Sequence, residues 1–170
     1  MKAYFTIFLI ALTTLGFSQK KDLNPITWSF DTNQVGPDEY ELIFKADFDS
    51  PWVVYSKDNS DDGPVPTTIN FTSKNVETIG EAVETGKKVK KEDSLFGMSV
   101  IKFEGGQSFV TKQRVRINDI SIPVTGYVRF MTCDNQVCLP PKNEDFSFTY
   151  KVNAPKRMQQ GKNSIPVKSF

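Results

Sequence analysis

The run EYELIFKADF, residues 39–48, constrains the fold more than any other part of this chain. Tyr40, Leu42, Phe44, Ala46 and Phe48 fall on one side of an extended backbone. Glu39, Glu41, Lys45 and Asp47 fall on the other, and only Ile43 breaks the alternation. A period of two is the pattern of a strand with one buried face, whereas a helix would scatter these apolar side chains around its axis. ITWSF repeats the pattern with Ile26, Trp28 and Phe30, and TINFT, SVIKFEG, SFVTKQRVRI, VTGYVRF and FSFTYKV read as further short strands. Turn clusters such as DTNQVGPD, KDNSDDGPVP and EGGQS separate them. The segment NVETIGEAVETG is the one place that admits a helical turn, and it is interrupted by Gly80 and Gly86. The expectation is an all-β fold, an immunoglobulin-like antiparallel sandwich, with a barrel as the alternative. No internal repeat or long linker divides residues 19–153, which read as one domain.

The ends of the chain differ from this middle. Lys2, the apolar run AYFTIFLIALTTLGF and the small residues Gly16 and Ser18 predict an export signal over residues 1–18, cleaved after Ser18. An uncleaved anchor is the alternative, but the run is short for a span and holds Thr13 and Thr14. No membrane span is expected after cleavage. Residues 154–170 carry four positive charges and no acid, and are read as a basic, disordered tail. Removing residues 1–18 takes Lys2 with it and leaves basic and acidic residues balanced at 20 each, so no field is available to draw in nucleic acid. The chain has no histidine, which excludes Ser-His-Asp and Cys-His catalysis and leaves the two cysteines short of zinc ligands. Neither a metal nor a cofactor is expected.

Chemistry therefore concentrates in FMTCDNQVCLPP, which holds both cysteines, Cys133 and Cys138. In an exported chain the pair suits a structural disulfide. The energetics weaken that reading. Closing a ring of about six residues contributes only about 2 kcal/mol, and longer rings contribute more. Asp134 and Asn135 are turn formers, which sets the cysteines at strand ends beside a hairpin tip, within reach of an attacking thiolate. Pro140 and Pro141 follow and withhold two backbone donors. The spacing is not that of a Cys-x-x-Cys motif.

The stretch GYVRFMTCDNQVCLPP resembles the active-site hairpin of the periplasmic amino-terminal domain of the thiol:disulfide interchange protein DsbD. The shared pattern is Gly126 on the incoming strand, Cys133, a short turn, Cys138, the apolar Leu139, then Pro140 and Pro141. The turn is one residue shorter than in the best-known enterobacterial members. KEDSLFGMSVIKF resembles the cap loop of that family through Asp93, Leu95, Phe96 and Gly97, and leaves open which of Leu95 and Phe96 covers the cysteines. SPWVVYSKD resembles the aromatic strand beside the site and brings forward Trp52 and Tyr55.

The resemblance implies an immunoglobulin-like domain in the periplasm that relays electrons through a reversible Cys133–Cys138 disulfide. It makes Cys138 the residue that exchanges with partners and Cys133 the one that resolves the mixed disulfide. It also implies thioredoxin-like periplasmic oxidoreductases as partners. Full-length DsbD continues into membrane helices and a thioredoxin-like domain, and the sequence ends at Phe170 without them. The expectation is a free-standing version with a separate membrane electron donor, acting as a component of protein-disulfide reduction. The competing expectation is a binding or scaffold module with a purely structural hairpin disulfide.

Overall fold

The computed structural model describes residues 23–150. The expected signal segment, its cleavage point and the basic tail at 154–170 lie outside the described residues. Among these, the strands are β1 (Thr27–Gln34), β2 (Glu39–Asp47), β3 (Val53–Tyr55), β4 (Thr68–Phe71), β5 (Val76–Thr85), β6 (Lys88–Asp93), β7 (Met98–Glu104), β8 (Phe109–Ile117), β9 (Val124–Phe130), β10 (Thr132–Cys133) and β11 (Lys142–Phe148). All named pairings are antiparallel. They form three sheets, in the orders β1-β2-β8-β5, β11-β9-β4 and β10-β3-β7-β6.

The alternation in β2 decides how these sheets pack. Tyr40, Leu42, Phe44 and Ala46 are buried, and the intervening residues, Ile43 included, are only half-buried. Tyr40, Leu42 and Phe44 join Val115 and Ile117 of β8 against Val124 and Val128 of β9 and Phe146 and Phe148 of β11. The first sheet thus packs face to face on the second. Toward one end, Ala46 and Phe109 of the first sheet meet Val54 and Phe103 of the third, with Phe130 from the end of β9. The second and third sheets together make the layer opposite the first. This is the immunoglobulin-like antiparallel sandwich expected from the alternation, and not a closed barrel.

One expectation is corrected. The segment that admitted a helical turn is the ten-residue strand β5. Its half-buried Val76, Ile79 and Ala82 recur every three residues, which imitates a helical face. The spacing arises from a bulge. The register with β8 passes from Ile79↔Arg114 to Val83↔Lys112, so the strand carries extra residues there. Gly80 takes a φ of +67° within the bulge, a conformation glycine adopts without steric cost.

Gly126 has a different role. A side chain there would place a Cβ 2.1 Å from the Asn70 carbonyl oxygen and 2.5 Å from the Phe146 ring. The register sets Phe146 and Phe71 on either side of it. Gly126→Ala is expected to lower the stability of the sandwich by about 1–3 kcal/mol through overpacking, read as an earlier urea midpoint. An unchanged midpoint would show that β4 and β11 yield around the new methyl group.

Candidate functional site

The chain leaves β9 in the second sheet, passes Met131 and enters β10 in the third. This step delivers the cysteine segment to the outer face of the third sheet. Cys133 pairs with Val53, and the Thr132 hydroxyl donates to the Val53 carbonyl at 2.8 Å. The Asp134 amide donates to the Val137 carbonyl at 2.9 Å, and the Leu139 amide to the Thr132 carbonyl at 3.0 Å. Between them Asp134 Oδ1 accepts the amides of Gln136 and Val137, each at 2.7 Å. The hairpin thus has its own backbone ladder, which reaches Leu139 and stops at Pro140 and Pro141, both exposed. Cys133 and Cys138 are disulfide-bonded. They are unequal in access: Cys133 is 0% exposed, while Cys138 is half-buried.

Alternation along the third sheet explains this environment. Val54 and Phe103 point into the sandwich. Val53, Tyr55 and Val100 point outward and form a second apolar cluster with Cys133. Phe96, Met98, Met131 and Cys138 pack against that cluster. Phe96 comes from the turn between β6 and β7, and its ring meets Tyr55 edge-on with centroids 5.7 Å apart. Leu95, its neighbour, is 44% exposed. Of the two apolar residues in this turn, Phe96 packs on the cluster that contains Cys133, and Leu95 faces solvent. Gly97 closes the turn with a φ of +64°. Trp52 packs on the cluster of Ile26, Phe48 and Val54 at the sandwich end.

Asp93 organises the turn. Its carbonyl accepts the amides of Phe96 and Gly97 at 3.2 and 2.7 Å. Its carboxylate accepts the Leu95 amide at 3.1 Å, the Tyr55 hydroxyl at 3.3 Å and the Lys102 ammonium at 2.6 Å. Burial pushes the Asp93 carboxyl upward, but Lys102, the Leu95 amide and the Tyr55 hydroxyl outweigh it and hold the group below its ordinary value. Burial first, and then the charge on Asp93, push the Tyr55 hydroxyl well above its ordinary range, so it stays protonated as a donor.

Lys102 escaped the sequence reading. It sits on β7 opposite Tyr55, two residues from the outward-facing Val100, and is only 9% exposed. The available signal was its parity with the apolar Met98 and Val100 on the same strand. Arg129, near Cys133 in sequence, is instead exposed to solvent on β9. A polar cavity of about 180 Å³ lies between the turn and the hairpin tip, lined by Asp93, Leu95, Lys102, Asp134 and Asn135 among others. A second, of about 270 Å³, is lined by Trp52 and Glu104 and shares Lys91, Lys102 and Asn135 with the first. Ion pairs to Lys87 and Lys91 bring Glu104 down to about 2.

No family model matches this chain, and no curated protein matches it. Solved structures do. The N-terminal periplasmic domain of ScsB from Proteus mirabilis aligns over 72% of this chain at 17% identity, with a TM-score of 0.47. The chain spans 43% of that structure. The reduced N-terminal domain of DsbD from Neisseria meningitidis aligns over 74% of this chain and 86% of its own length, at 13% identity and a TM-score of 0.46. The GAE domain of yeast GGA1 aligns over 76% of this chain and 96% of its own, at 7% identity and a TM-score of 0.43.

Proposed function

We propose that residues 19–153 form a periplasmic thiol–disulfide exchange domain that relays electrons through Cys133 and Cys138 to thioredoxin-like oxidoreductases. The observation that carries this reading is the unequal burial of one disulfide: a half-buried Cys138 beside a wholly buried Cys133, on a hairpin whose ladder does not depend on the bond. A staple has no need of an accessible sulfur. An exchange site needs one sulfur that a partner reaches and one that it does not.

The reaction follows from that asymmetry. A thiolate of a reduced membrane donor attacks Sγ of Cys138. The Cys133–Cys138 bond breaks, a mixed disulfide forms, and Cys133 leaves as a thiolate that takes up a proton. The donor's second thiolate then attacks its own sulfur in the mixed disulfide, which releases Cys138 and oxidises the donor. Cys138 next attacks the disulfide of an acceptor, and Cys133 displaces the reduced acceptor and restores the original bond. Two electrons pass in each half. In this reading Asp93, Leu95, Phe96 and Gly97 form a cap that keeps other thiols out, which is selectivity by exclusion. Tyr55 backs Phe96, Trp52 borders the cavity beside the hairpin tip, and Pro140 and Pro141 stiffen the exit from Cys138.

The test is equilibration of the oxidised domain with a reduced thioredoxin-like oxidoreductase, followed by maleimide tagging of both cysteines. The expected result is reversible transfer that opens the Cys133–Cys138 bond in a folded domain. A bond that stays closed against a reductant of thioredoxin potential would overturn the reading in favour of a scaffold module.

A further inference from the structure

We infer that Lys102 is a positioning residue of the exchange site: its ammonium latches the cap turn shut through Asp93. The inference rests on the exchange reading above and extends it to a residue that packs under the turn and does not belong to it.

The contacts form one continuous path. Lys102 projects from β7 and meets Asp93 at the end of β6, with Nζ and Oδ2 2.6 Å apart. The two side chains are 11% and 5% exposed, so water does little to screen them. The other oxygen of the same carboxylate accepts the Leu95 amide, and the Asp93 carbonyl accepts the amides of Phe96 and Gly97. Phe96 then packs against the cluster that holds Cys133, as Cys138 does. The conformation of the turn thus depends on a charged group at its first residue. That charge is tolerable in a buried site only while a cation faces it. Tyr55 supplies a second donor to the carboxylate but no charge.

The alternative to a closed turn is an Asp93 carboxylate that reaches water. With Lys102 present, opening separates a buried ion pair. Without it, opening relieves an unpaired buried anion, and the equilibrium shifts toward the open turn. Phe96 leaves with the turn, and the disulfide becomes accessible to reductants that have no docking surface. Lys102 therefore sets how well the cap discriminates, although it does not touch the sulfurs in this arrangement.

The experiment measures initial rates of disulfide reduction by tris(hydroxypropyl)phosphine, a small uncharged reductant, with maleimide tagging as the readout. Lys102→Met is expected to be reduced about tenfold faster than the unmodified chain, because the open turn is more populated. Adding Asp93→Asn to that variant removes the orphaned charge and leaves an amide oxygen for the Leu95 amide. The double variant is expected to return to within about threefold of the original rate. This rescue separates a charge latch from general damage, since a packing defect at Lys102 would persist in the double variant. A Lys102→Met rate equal to the original, or a double variant no slower than the single one, would overturn the inference. If Lys102→Met does not fold, Tyr55→Phe removes one donor from the same carboxylate and is expected to speed reduction about threefold. An unchanged rate in that variant also overturns the inference. The phosphine needs no protein partner, so the two proposals fail separately. A disulfide inert to thioredoxin-like proteins but accelerated by Lys102→Met would end the exchange reading and leave the latch standing.

Discussion

Cys133→Ser is expected to accumulate mixed disulfides through Cys138 at least about tenfold more than Cys138→Ser accumulates them through Cys133, when each variant is challenged with oxidised thioredoxin-like proteins. The reason is access combined with resolution. Cys138 is half-buried at the exit of the hairpin, and Cys133 is 0% exposed. In Cys133→Ser the reachable thiol remains and the group that would release the partner is gone, so the adduct persists. In Cys138→Ser the remaining thiol lies against Val53, Tyr55 and Val100, out of a partner's reach. Non-reducing gels followed by mass spectrometry of the adducts give the ratio. Equal trapping by the two variants would mean that the hairpin opens fully before it reacts. The unequal burial would then have no bearing on which cysteine meets the partner.

Much of the frame was legible because it rests on period-two burial. Tyr40, Leu42, Phe44 and Ala46 alternate in the sequence, and they are buried as the alternation requires. The reading failed at β5 because a bulge at Gly80 shifts the period, and no residue pattern distinguishes such a shift from a weak helical turn. At the candidate site the sequence put the turn at 93–97 and the hairpin forward as separate pieces. What it did not reveal was which residue of the turn packs on the cluster that contains Cys133. Leu95 and Phe96 are both apolar, and the choice is made by Gly97 and by Asp93 hydrogen bonds that aim one side chain inward and the other out. Lys102 was missed for a related reason. A lysine in a strand reads as solvent-facing, and only the third dimension shows a carboxylate waiting for it on the next strand. Trp52, just before β3, packs on the sandwich end and also borders the cavity that reaches Asn135.

The largest effect on stability is expected far from the cysteines. Phe44 is 0% exposed and its ring meets those of Phe30, Phe146 and Phe148 edge-on, at 5.8, 5.0 and 5.7 Å. Those partners come from both layers, β1 beside it and β11 opposite. Phe44→Ala is expected to cost about 3–5 kcal/mol, since the cavity would lie between two sheets that cannot both collapse into it. Reducing the disulfide is expected to cost about 2 kcal/mol or less, because the ring it closes is short. The ladder bonds from Asp134 to Val137 and from Leu139 to Thr132, and the Thr132 hydroxyl on Val53, survive when the sulfurs part. Urea midpoints of the oxidised, reduced and Phe44→Ala proteins measure both quantities in one experiment. The ordering matters more than either value. A domain with the proposed relay function has to pass through its reduced state on every cycle, which requires that the sandwich and not the disulfide hold the fold. If reduction cost as much as Phe44→Ala, the domain would risk unfolding at each turnover, and Cys133–Cys138 would have to be read as a staple after all.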